Sequence, residues 1–130
     1  MKDQLYFHER RDDDQNILDH TYCVEFKEEQ LYVGYSITHP SDTFCKKTGR
    51  ENAMKKLLAL KNIPHSAFNS IDALGDINVI DGVPHSVSCT LFDMIGRTKE
   101  ILKLNTIIEV KMFTFQGKRK VPSTITIDVL

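Results

Sequence analysis

No stretch of this 130-residue chain approaches the roughly 18 consecutive apolar residues that a membrane-spanning helix requires, so no transmembrane helix is expected. The opening residues, MKDQLYFHERRDDD, hold no apolar core of the kind a secretory leader carries. Cysteine is scarce. Cys23, Cys45 and Cys89 are odd in number, widely spaced and flanked by apolar or strand-like residues, with no Cys-x-x-Cys among them. That argues against a disulfide framework or a zinc site and for buried, reduced thiols in a cytosolic setting. Glycine is scarce too, and the spacing that a phosphate loop demands is missing. No nucleophile elbow surrounds Ser41, and the chain lacks an RNA-binding aromatic signature, a helix-turn-helix spacing, an internal repeat and a low-complexity tract.

What is present is ordinary in amount and uneven in placement. Hydrophobic content of 41% and charged content of 27% suit a soluble globular protein of one domain. The net charge of -1 conceals an asymmetry: residues 1–30 carry nine acids against four bases, and residues 31–130 carry thirteen bases against nine acids. The expected organisation is an acidic N-terminal arm over residues 1–18, loosely held, followed by a single domain over residues 19–130. Such a mildly basic domain permits nucleic-acid or nucleotide binding without demanding it. An acidic run such as Asp12-Asp13-Asp14 reads first as a solvated arm.

Tyr22, Val24 and Phe26 alternate with polar neighbours, Lys27-Glu28-Glu29-Gln30 supplies a turn, and Leu31, Val33, Tyr35 and Ile37 alternate again. Period-2 runs around a polar turn predict an antiparallel hairpin. Pro40 ends it. A helix is expected from about Gly49 to Lys61, with Ala53, Met54, Leu57 and Leu58 on its apolar side. Residues 65–75 have the spacing of a short helix. Asp81-Gly82 predicts a second hairpin between Ile77–Val79 and Val87–Leu91, with a helix starting at Pro84 as the competing reading. Residues 93–103 look helical. A final hairpin is expected around Gln116–Lys120, from the alternation of Ile108, Val110 and Met112 and of Ile125, Ile127 and Val129. Strand pairs around one or two helices predict an α+β fold with a mainly antiparallel sheet of paired hairpins.

Chemistry concentrates where the second strand gives way to the helix. Ser41, Asp42, Lys46, Lys47, Gly49 and Arg50 stand within ten residues of one another. Amides at a helix N-terminus together with lysine and arginine suit an anion. In that reading Lys46, Lys47 and Arg50 contact phosphate, Ser41 and Asp42 shape the loop, and Gly49 permits close backbone approach. The bland alternative is a strand stop, a side-chain cap and solvated lysines, with Phe44 anchoring the core. His39 beside Ser41, Asp42 and Cys45 supplies residue types used in nucleophilic chemistry, but adjacency in sequence is not a triad. The basic tip Lys118-Arg119-Lys120 is a second candidate site, with Phe113 and Phe115 as stacking surfaces. His39, His65 and His85 are too scattered to assign a metal. No catalytic residue, metal or cofactor is assigned.

The segment from Gly34 to Ala53 resembles one found in small accessory proteins of tailed bacteriophages, where a hydrophobic strand leads into P-x-D-x-F, a basic stretch, Gly-Arg and an alanine. Pro40, Asp42, Phe44, Lys46, Lys47, Gly49, Arg50 and Ala53 carry the likeness, over about 25 residues. The resemblance implies a phage-encoded binding protein acting in host takeover or defence evasion inside the infected cell. The partner so implied is an anionic ligand, a nucleotide or nucleic acid, or alternatively a host enzyme inhibited by surface contact. Homo-oligomerisation is also expected, since a six-strand sheet leaves edges to cover.

Overall fold

The computed structural model describes residues 4–73, 80–107 and 109–127. It is an α+β fold: one six-stranded, mostly antiparallel sheet with two helices. The elements in chain order are β1 (Leu5–Glu9), β2 (His20–Lys27), β3 (Gln30–Ile37), α1 (Lys46–Lys61), β4 (Asn69–Ala73), α2 (His85–Leu102), β5 (Glu109–Gln116) and β6 (Arg119–Ile127). The strands lie in the order β1-β2-β3-β5-β6-β4.

Both outer hairpins follow from alternation and turn chemistry. In β2 and β3, Tyr22 faces Tyr35 and Val24 faces Val33 across the ladder. Glu28 and Glu29 close the turn at φ 53 and 69. β5 and β6 pair from Glu109–Thr126 to Gln116–Arg119. Two parallel contacts complete the sheet. β4 lies beside β6, and among the described residues β3 meets β5 through three residue pairs, Gln30–Glu109, Leu31–Val110 and Tyr32–Lys111. Beyond that seam the Tyr35 hydroxyl donates to the Phe113 carbonyl at 2.9 Å.

Because side chains alternate across a strand, the sheet presents two apolar faces, and each takes one helix. Tyr22, Val24, Leu31, Val33, Val110, Met112 and Ile125 pack with Val87, Leu91, Met94 and Ile95 of α2. Cys23, Tyr32 and Phe113 point the other way and pack with Ala53, Leu57 and Leu60 of α1. The approach of α1 depends on Gly34. A Cβ there would run into the Ala53 carbonyl and stand 2.7 Å from the Leu57 nitrogen. At the far end of α1, Lys61 pairs with the buried Glu25 at 2.7 Å.

Three expectations are corrected. Residues 5–9 are not a loose arm: β1 pairs with β2 from Leu5–Val24 to Glu9–His20, Phe7 is buried, and the Leu18 N–H donates to Ser86 Oγ at 2.8 Å. The short helix read over 65–75 is one 3-10 turn, His65–Ala67, followed by β4. Pairing with β6 turns Ile71 and Ala73 toward the core and leaves Asn69, Ser70 and Asp72 exposed.

The second hairpin is also absent from the described residues, and the helix starting at Pro84 prevails. Val87, Cys89 and Leu91 lie in α2, which continues through the segment read as helical from 93. Val87, Leu91, Met94, Ile95 and Thr98 form one buried stripe at helical spacing, and Cys89 sits on its flank. Ile77 and Val79 of that expectation, with Leu74, Gly75, Ile108 and Val129, lie outside the described residues.

On the α2 side a buried polar chain spans helix and sheet. His20 is fully buried; its Nδ1 donates to the Leu18 carbonyl at 2.7 Å, and Nε2 sits 2.8 Å from Thr90 Oγ1. The Tyr22 hydroxyl lies 2.6 Å from the same Thr90 oxygen. Burial holds the His20 ring below the ordinary histidine pKa, partly offset by the Leu18 carbonyl. On the α1 side Lys111 is 2% exposed, donates to Thr124 Oγ1 at 2.7 Å and lies 4.0 Å from the Phe68 ring centre. Burial lowers its pKa as well.

The strand-to-helix junction as a candidate anion site

α1 begins at Lys46, three residues earlier than the apolar periodicity alone predicts, so Lys46 and Lys47 are its first turn. Cys45 occupies the N-cap, and no side chain caps the helix through a hydrogen bond. The first-turn amides therefore keep donors that the chain does not satisfy in that way, beside cations and without an acid in that turn.

The loop that delivers the chain to this helix is closed on itself. The Asp42 N–H donates to the His39 carbonyl at 2.9 Å. The Ser41 N–H donates to His39 Nδ1 at 3.1 Å, and the Ser41 hydroxyl lies 2.7 Å from the same nitrogen. His39 thus serves as a turn brace. Phe44 anchors the loop by packing edge-on to His8 (centroids 5.8 Å apart) and under the Arg10 guanidinium at 4.6 Å. Both partners come from β1 or the residue after it, which ties the leader to the junction.

The residues singled out from the sequence divide between two sides of α1. Lys47 and Arg50 line a shallow cavity of about 430 Å³ with Tyr6, Glu51, Met54 and Lys55, on the β1 side. Lys46 and Arg50 lie close enough to His8 to depress its pKa, after the larger effect of burial. Asp42 and Gly49 line a second, more polar cavity of about 360 Å³ with His39, Thr43, Cys45, Thr48 and Asn52 among others. Ser41 and Lys46 line neither. Gly49 is buried, and a side chain there would meet the Thr21 hydroxyl, so its smallness lets helix and sheet come together.

Lys46, Lys47 and Arg50 have no carboxylate within 4 Å among the described residues, whereas Arg10, Arg11, Lys61 and Arg97 are paired. The basic tip also looks inward. The Lys120 ammonium lies 4.8 Å from the Phe113 ring centre, and the half-buried Lys56 lies 5.3 Å from that of Tyr35. Burial and then the neighbouring Lys120 lower the Lys56 pKa. Lys118 and Arg119 are exposed on the hairpin tip. Lys55, Lys56 and Tyr6 were not legible as site residues. The helical spacing from Lys47 through Lys55 was the available signal; the approach of Lys120 to Lys56 had none.

The thiols differ from expectation. All three are free, but only Cys23 is buried; Cys45 is exposed and Cys89 half-buried. The Thr48 hydroxyl, the largest influence, holds the Cys45 thiol below its ordinary pKa, helped by the Lys47 charge. Burial pushes Cys23 up to about 11. Among the described residues no group of three or more His, Cys, Asp and Glu could hold a metal ion, and no helix is long and apolar enough to cross a membrane. Comparison with protein-family models, curated proteins and solved structures gives no match.

Proposed function

We propose that this chain is a non-enzymatic binding protein that takes an anionic, phosphate-bearing ligand, a nucleotide or nucleic acid, at the junction of β3 and α1. One observation carries the reading. Three cations, Lys46, Lys47 and Arg50, gather without carboxylate partners among the described residues, around a helix start that no side chain caps. Arg50 can grip phosphate with two parallel hydrogen bonds, and the lysines add point charge. The self-closed His39–Asp42 turn supports a rigid rim more than a reacting centre, since the His39 ring and the Ser41 hydroxyl are spent on each other. The likeness to phage accessory proteins supports a role in host takeover or defence evasion.

Arg50→Ala is expected to weaken binding of a fluorescein-labelled oligonucleotide by about 1–3 kcal/mol, the range for hydrogen bonds to charged groups. Unchanged affinity and unchanged salt dependence would remove the site assignment. A second reading, inhibition of a host enzyme by surface contact, draws on one feature: among the described residues β1 is an edge strand, and Tyr6 is exposed on it. Native mass spectrometry of the protein purified from its host separates the two. A bound nucleotide or oligonucleotide favours the first, and a stoichiometric host protein favours the second.

A further inference from the structure

Cys45, Thr48, Asn52 and Lys56 recur at intervals of three and four residues, so they share one flank of α1. The first three line the 360 Å³ polar cavity, together with Thr38, Thr43 and His39. The fourth continues the same flank toward the β5–β6 hairpin. There the Lys56 ammonium rests on Tyr35 at 5.3 Å and the Lys120 ammonium on Phe113 at 4.8 Å. The Tyr35 hydroxyl donates to the main-chain carbonyl of Phe113, and Lys120 lies near enough to Lys56 to help lower its pKa, after the larger effect of burial. Neither lysine has a carboxylate within 4 Å among the described residues.

No lysine or arginine lines the polar cavity itself, but cations without a carboxylate partner among the described residues stand near the start of α1 and three turns along it. Lys46 and Lys47 stand at the helix start, and Lys56 and Lys120 stand ten helical residues further on, about 15 Å along the axis. A mononucleotide carries its phosphates at one end and leaves the other cation pair unanswered. A strand carries a phosphate on each side of every nucleoside. Phe115, 40% exposed beside the tip that bears Lys118 and Arg119, adds an aromatic face on which an unpaired base can stack. Duplex bases hide that face.

We propose that the ligand is a single-stranded nucleic acid lying along this flank of α1, with Lys56 and Lys120 making phosphate contacts at its second end. The inference rests on reading the junction as an anion site and adds the ligand class and the path.

The test is fluorescence anisotropy of a labelled dT12 against the wild-type chain, Arg50→Ala, Lys120→Gln and the double variant Lys56→Gln/Lys120→Gln, across a salt series. Lys120 is exposed, so the single variant remains informative if the half-buried Lys56 proves needed for folding. Each lost phosphate contact should flatten the logarithmic salt dependence by about 0.7. The double variant should thus flatten it by about 1.4 and weaken binding on the order of 20-fold at 0.1 M salt. Loss in Arg50→Ala with no change in either lysine variant overturns this path and leaves the junction site standing. Competition by a mononucleotide, by a duplex of equal length or by poly-glutamate as effective as unlabelled dT12 overturns the single-strand assignment. Absence of any dT12 binding by the wild-type chain overturns both the path and the junction reading.

Discussion

Gly34→Ala should cost this protein more stability than any other single methyl addition on the α1 face, and the reason is backbone geometry. The added Cβ would press on the Ala53 carbonyl and lie 2.7 Å from the Leu57 nitrogen, both main-chain atoms of α1 that cannot rotate away. Relief requires the helix to lift by about 1 Å, and a gap of that size forfeits a quarter to a half of the dispersion contact it opens. Ala53, Leu57 and Leu60, all fully buried, would share that loss against Cys23, Tyr32 and Phe113. Since removing one buried leucine costs about 2–5 kcal/mol, the partial separation of three side chains should cost about 3–4. Loss of glycine's unfolded-state freedom returns only about 0.5–1 kcal/mol. The net expectation is a destabilisation of about 2–4 kcal/mol, read as a lower urea midpoint. Gly96→Ala is the internal control: it is helical and exposed, with nothing within 4 Å of an added Cβ. It should stabilise by up to about 1 kcal/mol. A Gly34→Ala midpoint equal to or above that of the unaltered chain would refute the close approach of α1 to β3.

Acid should weaken the fold through His20. Its folded-state pKa is lowered, so below the unfolded value of about 6.5 the unfolded chain takes up a proton that the folded chain refuses. The stabilisation is present above that pH and fades as pH falls through it; urea midpoints measured from pH 7.5 to 5 should decline, and less so in His20→Gln. An identical decline in that variant would sink the argument. Cys45 should react with a thiol-exchange reagent well before Cys23 at neutral pH, and Thr48→Val should move its pH–rate midpoint upward. Equal rates at the two thiols, or an unmoved midpoint, would contradict the influence of Thr48 on Cys45 and of burial on Cys23. Deleting residues 1–11 should lower stability by about 3 kcal/mol or more, because Phe7 leaves the core and Phe44 loses His8 and Arg10. For that reason the deletion cannot distinguish a ligand-binding junction from an inhibitory leader.

The two hairpins and α1 were legible because their signals are local: alternation interrupted by a polar turn, and an apolar stripe closed by Pro64. β1 and β4 were not, since each is a five-residue edge whose pairing is decided by a partner elsewhere in the chain. α2 was misread because Val87, Cys89 and Leu91 satisfy period 2 as well as part of a helical stripe, and only the continuation through Met94, Ile95 and Thr98 decides between them. At the junction the sequence announced the cations but not their sides. Whether Arg50 faces β1 or the polar cavity depends on the rotation of α1 about its axis, which Gly34, Gly49 and Ala53 set through contacts with β2 and β3. The inward turn of Lys120 toward Phe113 is likewise a property of the assembled sheet.

The three-pair seam between β3 and β5 has a kinetic consequence. On one side β1, β2, β3 and α1 form a continuous stretch of chain, and on the other β5 and β6 form a tight hairpin. Joining them brings Gln30 to Glu109 across 79 positions, an event whose loop-closure entropy is about 4 kcal/mol before any contact repays it. Among the described residues few ladder bonds are gained at that step, so the seam is the expected place for the folding barrier. The path along α1 to Lys120 crosses the same seam, so a strand bound there would fasten the two halves together.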